Sequence, residues 1–334
     1  MDFMNEQKST HVPDELNPVY QVKRSCEMVA STGNLVSIDD ESVRNLANEF
    51  SKLDISVIRD GVAWDACGWH YTKDKDSGYR TCQYIFVLDA LNFCFWPTEG
   101  MEYVYLASSL TKILEQDETA FDATRLMSIT EMELQGWLSE YTVPLLTERV
   151  LRLRELGTAL LQEYEGLAIN MVKAAGRSAV KLTQLILSHL PGFRDTAIYN
   201  GSLIHFYKRA QILVGDLWAA YDRPREGNIF AFYDISCLTM FADYRVPQLL
   251  RALEVLQYSS SLCEIIDTKQ EIMFGSKEEI EIRACTIIAV ERLHKELIKL
   301  GGNMLVIELD WLLWQKGEAI KDTLAPCHRT RTIY

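Results

Sequence analysis

The sequence lacks the short signatures that most often announce a chemistry. It contains no G-x-x-x-x-G-K-[ST] and no G-x-G-x-x-G, so neither a P-loop nor a dinucleotide-binding turn is encoded. H-E-x-x-H and G-x-S-x-G are also missing, which removes the usual zinc-protease and α/β-hydrolase readings. The six histidines lie far apart with no ligand-like spacing, so metal catalysis is not supported. The eight cysteines (Cys26, Cys67, Cys82, Cys94, Cys237, Cys263, Cys285, Cys327) are scattered without a C-x-x-C, and most sit in apolar runs. Reduced thiols of a cytoplasmic protein are expected, rather than disulfides or a metal site. Met1 to Thr10 is polar and lacks the apolar core of a signal peptide. No apolar run approaches the roughly 18 residues of a membrane span. Positive charge is scarce as well: 34 Lys and Arg against 47 Asp and Glu give a net charge of −13. That balance argues against long-range attraction to duplex nucleic acid or an anionic membrane, but leaves room for a local basic pocket that holds one phosphate.

What is present is ordinary for a globular chain: 334 residues, 48% hydrophobic and 24% charged. Residues 1–17 read as a polar, mobile start, and 18–334 as a single domain, mainly α with a minor β component. Pro18 to Ala30 suits a helix, and Asn34 to Ile38 alternates like a short strand. Asp39 and Asp40 offer an N-cap to a stripe of Val43, Leu46, Ala47 and Phe50. Thr130-x-x-Glu133 and Ser276-x-x-Glu279 are capping boxes. Pro144 opens a helix running to about Glu165, and further helices are expected over 168–175, 180–190 and from Phe206 to Leu217. Pro247 to Leu256 starts another, and the helix after Ser276 ends at Gly301-Gly302. Gln83 to Leu88 looks like a buried strand, and Phe230 to Tyr233 like a short extended piece.

Polar groups set among apolar and aromatic residues are the candidates for chemistry. Asp89 and Asn92 interrupt an aromatic-rich stretch between residues 61 and 100. They read either as a cap with a satisfied core amide, or as polar groups in an aromatic pocket wall. His70 follows Trp69 and suits a surface, a core or a pocket. Thr239 to Gln248 places Asp243, Tyr244 and Arg245 side by side where one element gives way to the next; Asp243 is thus either a helix cap or a reactive acid. Asp216, Asp234 and Asp310 complete the set. Acids of this kind serve glycoside chemistry: one attacks or stabilises an oxocarbenium-like carbon while another handles a proton. Aromatic residues flank a leaving base, and Lys or Arg holds a phosphate. A helical scaffold protein is the other reading of the same residues.

Five ordered blocks carry a resemblance. They are Phe86-Val87-Leu88-Asp89-Ala90-Leu91-Asn92-Phe93-Cys94-Phe95-Trp96, Phe206-Tyr207-Lys208-Arg209 through Gly215-Asp216, Thr239 to Gln248, Glu279-Ile280-Glu281-Ile282-Arg283-Ala284-Cys285, and Leu309-Asp310-Trp311-Leu312-Leu313-Trp314. Over roughly residues 20–334 the chain resembles the queuosine salvage family, the queuosine 5′-phosphate N-glycosylase/hydrolases. The resemblance implies a mainly helical fold similar to helix-hairpin-helix DNA glycosylases, with Leu190-Pro191-Gly192 as the hairpin. Phe193-Arg194 departs from that hairpin's second glycine, so duplex DNA is not an expected partner. The implied reaction is hydrolysis of the N-glycosidic bond of queuosine 5′-monophosphate, releasing queuine for reinsertion into tRNA, with no metal or redox cofactor. Within the matched blocks, Asp243 is placed at the anomeric carbon, with Asp216 as the second candidate. Asp310 is placed at the base, with Trp314, Phe95 and Trp96 stacked on it. Asp89 and Asn92 orient ring or cyclopentenediol groups, Tyr244 and Arg245 hold what is attached to the sugar, and Lys208, Arg209 and Arg245 are the phosphate candidates. A non-catalytic deazapurine- or tRNA-associated binding protein is the alternative, and the oligomeric state is left open.

Overall fold

The computed structural model describes residues 16–61, 63–74, 79–224 and 226–332. The expected mobile start lies outside these residues except for Leu16 and Asn17. Asn17 caps the first helix, its Oδ1 accepting from the Val19 and Tyr20 N–H groups. The order is then α1 (Pro18–Thr32), β1 (Val36–Ile38), α2 (Asp40–Phe50), α3 (Ile55–Gly61), α4 (Arg80–Leu91), α5 (Tyr103–Gln116), α6 (Ala123–Ser128), α7 (Glu131–Trp137), α8 (Leu146–Glu163), α9 (Ala168–Ala174) and α10 (Ala179–His189). It continues β2 (Thr196–Tyr199), β3 (Ser202–His205), α11 (Lys208–Ala220), α12 (Arg245–Ala252), β4 (Leu256–Tyr258), α13 (Ser260–Asp267), α14 (Lys277–Lys299) and α15 (Val306–Ile320). The fold is mainly α. Its strands form two small antiparallel pairs, β1 with β4 (Ser37 opposite Gln257) and β2 with β3 (Ala197 opposite Ile204).

Local chemistry sets several of these boundaries as expected. Asp39, Thr130 and Ser276 each cap the helix that follows by accepting the N–H three residues on. The stretch Gln83–Leu88 is not a strand, however, but the middle of α4. Every residue from Thr81 to Leu91 is buried, so the run has no polar face whose period could separate helix from strand. Its length of 12 residues favours the helix. Residues 230–233 form turns instead of an extended piece, with Ala231 N–H donating to Asn228 O. Leu256 belongs to β4 and not to the preceding helix, which ends at Ala252.

Two helices anchor the core. α14 packs on α1, α2, α12 and α15, while α4 packs on α5, α8, α9 and α11. The buried apolar residues form one contiguous cluster. Because the first half of α14 is buried on every side, its charged residues must find partners inside the protein. Glu281 accepts from the Leu35 and Val36 N–H groups and from Tyr199 Oη, which ties β1 and β2 to this helix. All eight cysteines are free thiols. Among the described residues, no helix is long and apolar enough to cross a membrane.

Candidate active site

A cleft open to solvent lies between α11 and α15. Helical periodicity selects its lining. Lys208, Ile212, Asp216 and Ala219 form one face of α11, and Asp310, Trp311, Trp314, Gln315 and Glu318 form one face of α15. Asn92 to Phe95 follow α4 and close one end. Arg149, buried in α8, fixes that loop by donating to the carbonyls of Leu91, Phe93 and Cys94, with its guanidinium over the Phe93 ring. The loop carrying Trp64, Trp69 and His70 faces the start of α5, where Glu102 and Tyr103 join the wall. The segment Phe241 to Tyr244, with Asp243 and Tyr244 in the lining, completes it.

The acids of the cleft are set by burial. Asp243 is half-buried, and its Oδ1 accepts from Arg245 N–H at 3.1 Å and Val246 N–H at 2.9 Å. It therefore caps α12, as one of its two readings has it, and also lines the cleft. Burial pushes its pKa up to about 6, against the pull of the Val246 N–H and of Lys208. Asp216 and Asp310 are 3% and 4% exposed. Both are raised well above the usual carboxylate range by burial, with Asp89 adding to the shift at Asp216 and Asp243 adding to that at Asp310. Asp310 Oδ1 also accepts from Phe241 N–H at 3.2 Å. Burial pulls the Lys208 ammonium down, offset first by Asp243 and then by Asp89. Three acids raised by burial and one lysine lowered by it thus share the cleft, with Asp243 the least buried of the acids.

The aromatic wall is ordered by its own contacts. Trp64 stacks on His70 with centroids 4.0 Å apart and planes 14° apart. His70 Nε2 meets Tyr103 Oη at 2.8 Å, and Tyr103 lies edge-on to Trp314 at 6.1 Å. Phe95 is in the lining, but Trp96 is not; its ring meets the Arg329 and Arg331 guanidinium groups of the C-terminal stretch. Asp89 stands behind the lining with no exposure. Its Oδ1 is 3.4 Å from Asn92 Nδ2, its Oδ2 has no partner among the described residues, and burial pushes its pKa up to about 7. Arg209 points away from the cleft, one residue's 100° of turn from Lys208, and donates to the carbonyls of Asp89, Ala90 and Gly192. Arg245 also lies behind the wall, bound to Glu318 at 2.5 Å and to Gln248. Asp234, the fifth acid of the sequence set, holds the start of α10 through Ser178 Oγ and Ala179 N–H. Among the described residues, no three His, Cys, Asp or Glu side chains cluster as metal ligands.

A model of the queuosine salvage protein family matches residues 69–334. The chain belongs to the queuosine salvage protein family. It is 40% identical to a Dictyostelium discoideum protein named queuosine 5′-phosphate N-glycosylase/hydrolase, covering 96% of this chain and all of the relative. Similar proteins of the same name occur in Sphaerobacter thermophilus, at 39% identity over 92% of this chain and 95% of the relative, and in Mus musculus, at 32% over 96% and 100%. In this family member the site brings together Asp216, Asp243, Asp310, Trp314, Asn92, Phe95, Tyr244, Lys208 and His70, and leaves Asp89, Trp96, Arg209 and Arg245 outside the lining. Sequence reasoning did not single out Tyr103, Glu102, Trp311, Gln315 or Glu318. The last three lie on the α15 face that Asp310 and Trp314 already define, so a full helical projection finds them. Tyr103 and Glu102 sit at the start of α5, where no local pattern marks them.

Proposed function

We propose that this protein hydrolyses the N-glycosidic bond of queuosine 5′-monophosphate and releases queuine, through a carboxylate-based reaction that uses no metal. The observation that carries the proposal is the convergence of Asp216, Asp243 and Asp310 around Lys208 in an aromatic-walled cleft, within a chain whose relatives bear that activity's name. Cleavage at C1′ builds positive charge on the sugar, and an ionised carboxylate beside it lowers the barrier. Asp243 suits this role as nucleophile or electrostatic stabiliser, because it is the least buried of the three aspartates and Lys208 favours its charge. Asp216, more deeply buried and raised well above the usual carboxylate range, suits the partner that positions water or the ribose. Asp310, raised by burial, offers the base an acceptor and, when it holds its proton, a donor as well. Its C=O takes a ring or exocyclic N–H, and its O–H gives to a ring acceptor, drawing electron density out of the leaving group.

Trp314 and Phe95 supply the stacking surface, Asn92 and His70 polar contacts in the wall, and Tyr244 a contact near the sugar. Lys208 is the phosphate candidate that lines the cleft; Arg209 and Arg245 brace the wall behind it. The likeness to a helix-hairpin-helix scaffold rests on α10, the turn at Leu190-Pro191-Gly192, and α11 with its Asp216, with β2 and β3 inserted before α11. The deciding experiment is incubation with queuosine 5′-monophosphate, followed by chromatography for free queuine. A well-folded wild type that releases none sinks the proposal, and tight queuine binding without release marks a binding protein instead.

A further inference from the structure

The block Glu279 to Cys285 has no place in the cleft, yet it holds one of the most buried cations of the chain. The Arg283 side chain on α14 has no exposure and lies 3.9 Å above the Phe206 ring. Its Nη1 donates to Asp195 Oδ1 at 2.9 Å and to Glu279 Oε1 at 3.1 Å, and its Nη2 to Asp195 Oδ2 at 2.5 Å. Its Nε donates to the Ala242 carbonyl at 3.3 Å, one residue before Asp243. Asp195 in turn gathers the start of α11. Its carboxylate accepts from Lys208 N–H at 3.2 Å, and its carbonyl accepts from Phe206 and Tyr207 N–H at 3.0 and 3.2 Å. Tyr207, held this way, is in the left-handed region at φ 50°, a conformation that costs free energy unless its neighbours impose it. That kink turns the chain so that Lys208 begins the helix facing the cleft.

We infer that Asp195 and Arg283 are positioning residues for the reaction, a single bidentate pair that fixes the Asp243 segment against the Lys208 end of α11. Neither side chain lines the cleft. Both act through other groups: the pair bonds directly to the backbone next to Asp243 and to the backbone of Lys208. α11 and the 239–244 segment come from different parts of the chain, and this pair is a direct polar tie between them. A displacement of about 1 Å between reacting groups can cost on the order of a hundredfold in rate. A device that sets this separation is therefore expected to act on turnover more than on substrate affinity.

The inference rests on the glycosylase reading given above, and the test separates the two. Arg283→Lys keeps the charge but loses the fork and the bond to Ala242; Asp195→Asn keeps an acceptor for Lys208 N–H but weakens the pair. Each variant is assayed on queuosine 5′-monophosphate beside the wild type, with its folded fraction measured by circular dichroism. The expected result is kcat per folded molecule at least about tenfold down with KM within about threefold, and a double variant no worse than the poorer single. Folded variants with kcat within about twofold of wild type overturn the inference, because a purely structural pair lowers the melting temperature and leaves turnover alone. If both variants unfold, Phe206→Leu, which removes only the ring under the guanidinium, is read by the same criteria. A wild type without turnover defeats the glycosylase reading instead. The pair is then judged by a crystal structure of the mildest folded variant: the 239–244 segment is expected to shift relative to α11, and an unmoved segment overturns the inference.

Discussion

Asp243 does two jobs with one carboxylate. One oxygen is engaged by the first N–H groups of α12, which fixes its direction, and the group still reaches the cleft. Asp243→Asn is expected to lower kcat by about a hundredfold or more while the protein stays folded, because the amide can still cap the helix but brings no charge to C1′. Retained turnover would move the central role to Asp216. The pH dependence carries the same information. Asp243 must be ionised to act, and its pKa is pushed up to about 6, so kcat/KM is expected to fall on the acid side of that value. A rate that stays flat down to pH 5 would show that the essential acid is another group. Trp314 gives a contrasting test at the same scale. Its removal in Trp314→Ala takes away a stacking face worth about 1–3 kcal/mol for a base, so KM is expected to rise and kcat to change little. The basic residues show where reading by residue type stopped. Lys208 and Arg209 are adjacent and chemically alike, and nothing in their identity says which one faces the cleft. The turn of the helix and the carbonyls of Asp89, Ala90 and Gly192 decide it.

At the scale of elements, the site depends on how closely helices approach behind it. Gly157 on α8 lies against α6 so tightly that a Cβ there would meet the Met127 backbone nitrogen and come 2.5 Å from Ala123 O. Backbone cannot yield as a side chain does. Gly157→Ala is therefore expected to cost about 1–3 kcal/mol, seen as a lower denaturation midpoint, with kcat per folded molecule unchanged because neither helix lines the cleft. Gly317 makes the opposite case: a Cβ there would press at 2.9 Å on Arg245 Cγ, beside the Asp243 segment. The elements themselves were legible in sequence wherever a cap or a polar face marked them, as at Asp39, Thr130 and Ser276. α4 was not, because a helix buried all round has lost the alternation by which helix and strand differ. The α15 face was half legible: Asp310 and Trp314 marked its direction, and Glu318, one turn further on, continues the line along the cleft wall. The meeting of α11, α15 and the 239–244 segment was visible only as ordered blocks. Contacts between segments this far apart in the chain leave no local period to read.

For the molecule as a whole, a site built from buried acids carries a cost in stability whose sign can be worked out. Asp89, Asp216, Asp243 and Asp310 all hold their protons more tightly in the folded protein than in the unfolded chain, where an aspartate titrates near 4. Between those two limits the folded state binds more protons, so stability falls as pH rises. For Asp89, the contribution is fully present below about pH 4 and is lost as pH rises through about 7. The surface carboxylates oppose this at the acid end. Asp117, lowered to about 2 by Thr119 and Arg125, and Asp267 and Glu271, lowered by Arg251 and Arg331, lose their contribution as pH falls through their own folded values. The net charge of −13 adds self-repulsion near neutrality. The unliganded protein is therefore expected to melt highest in mildly acidic buffer, near pH 5, and at progressively lower temperature towards pH 8. Asp89→Asn separates the buried acids from the general charge. Burial outweighs the attraction of Lys208 and Arg209 at this residue, so the neutral amide should raise the melting temperature at pH 8 by a few degrees and leave it unchanged near pH 4.5, where Asp89 is already protonated. An equal shift at both pH values would assign the effect to packing rather than ionisation. A substrate that binds only the folded state raises the melting temperature as well, by an amount that grows with its concentration. The stability forgone at Asp89 is thus tied to the site, because Asp89 also helps to raise Asp216 above the usual carboxylate range.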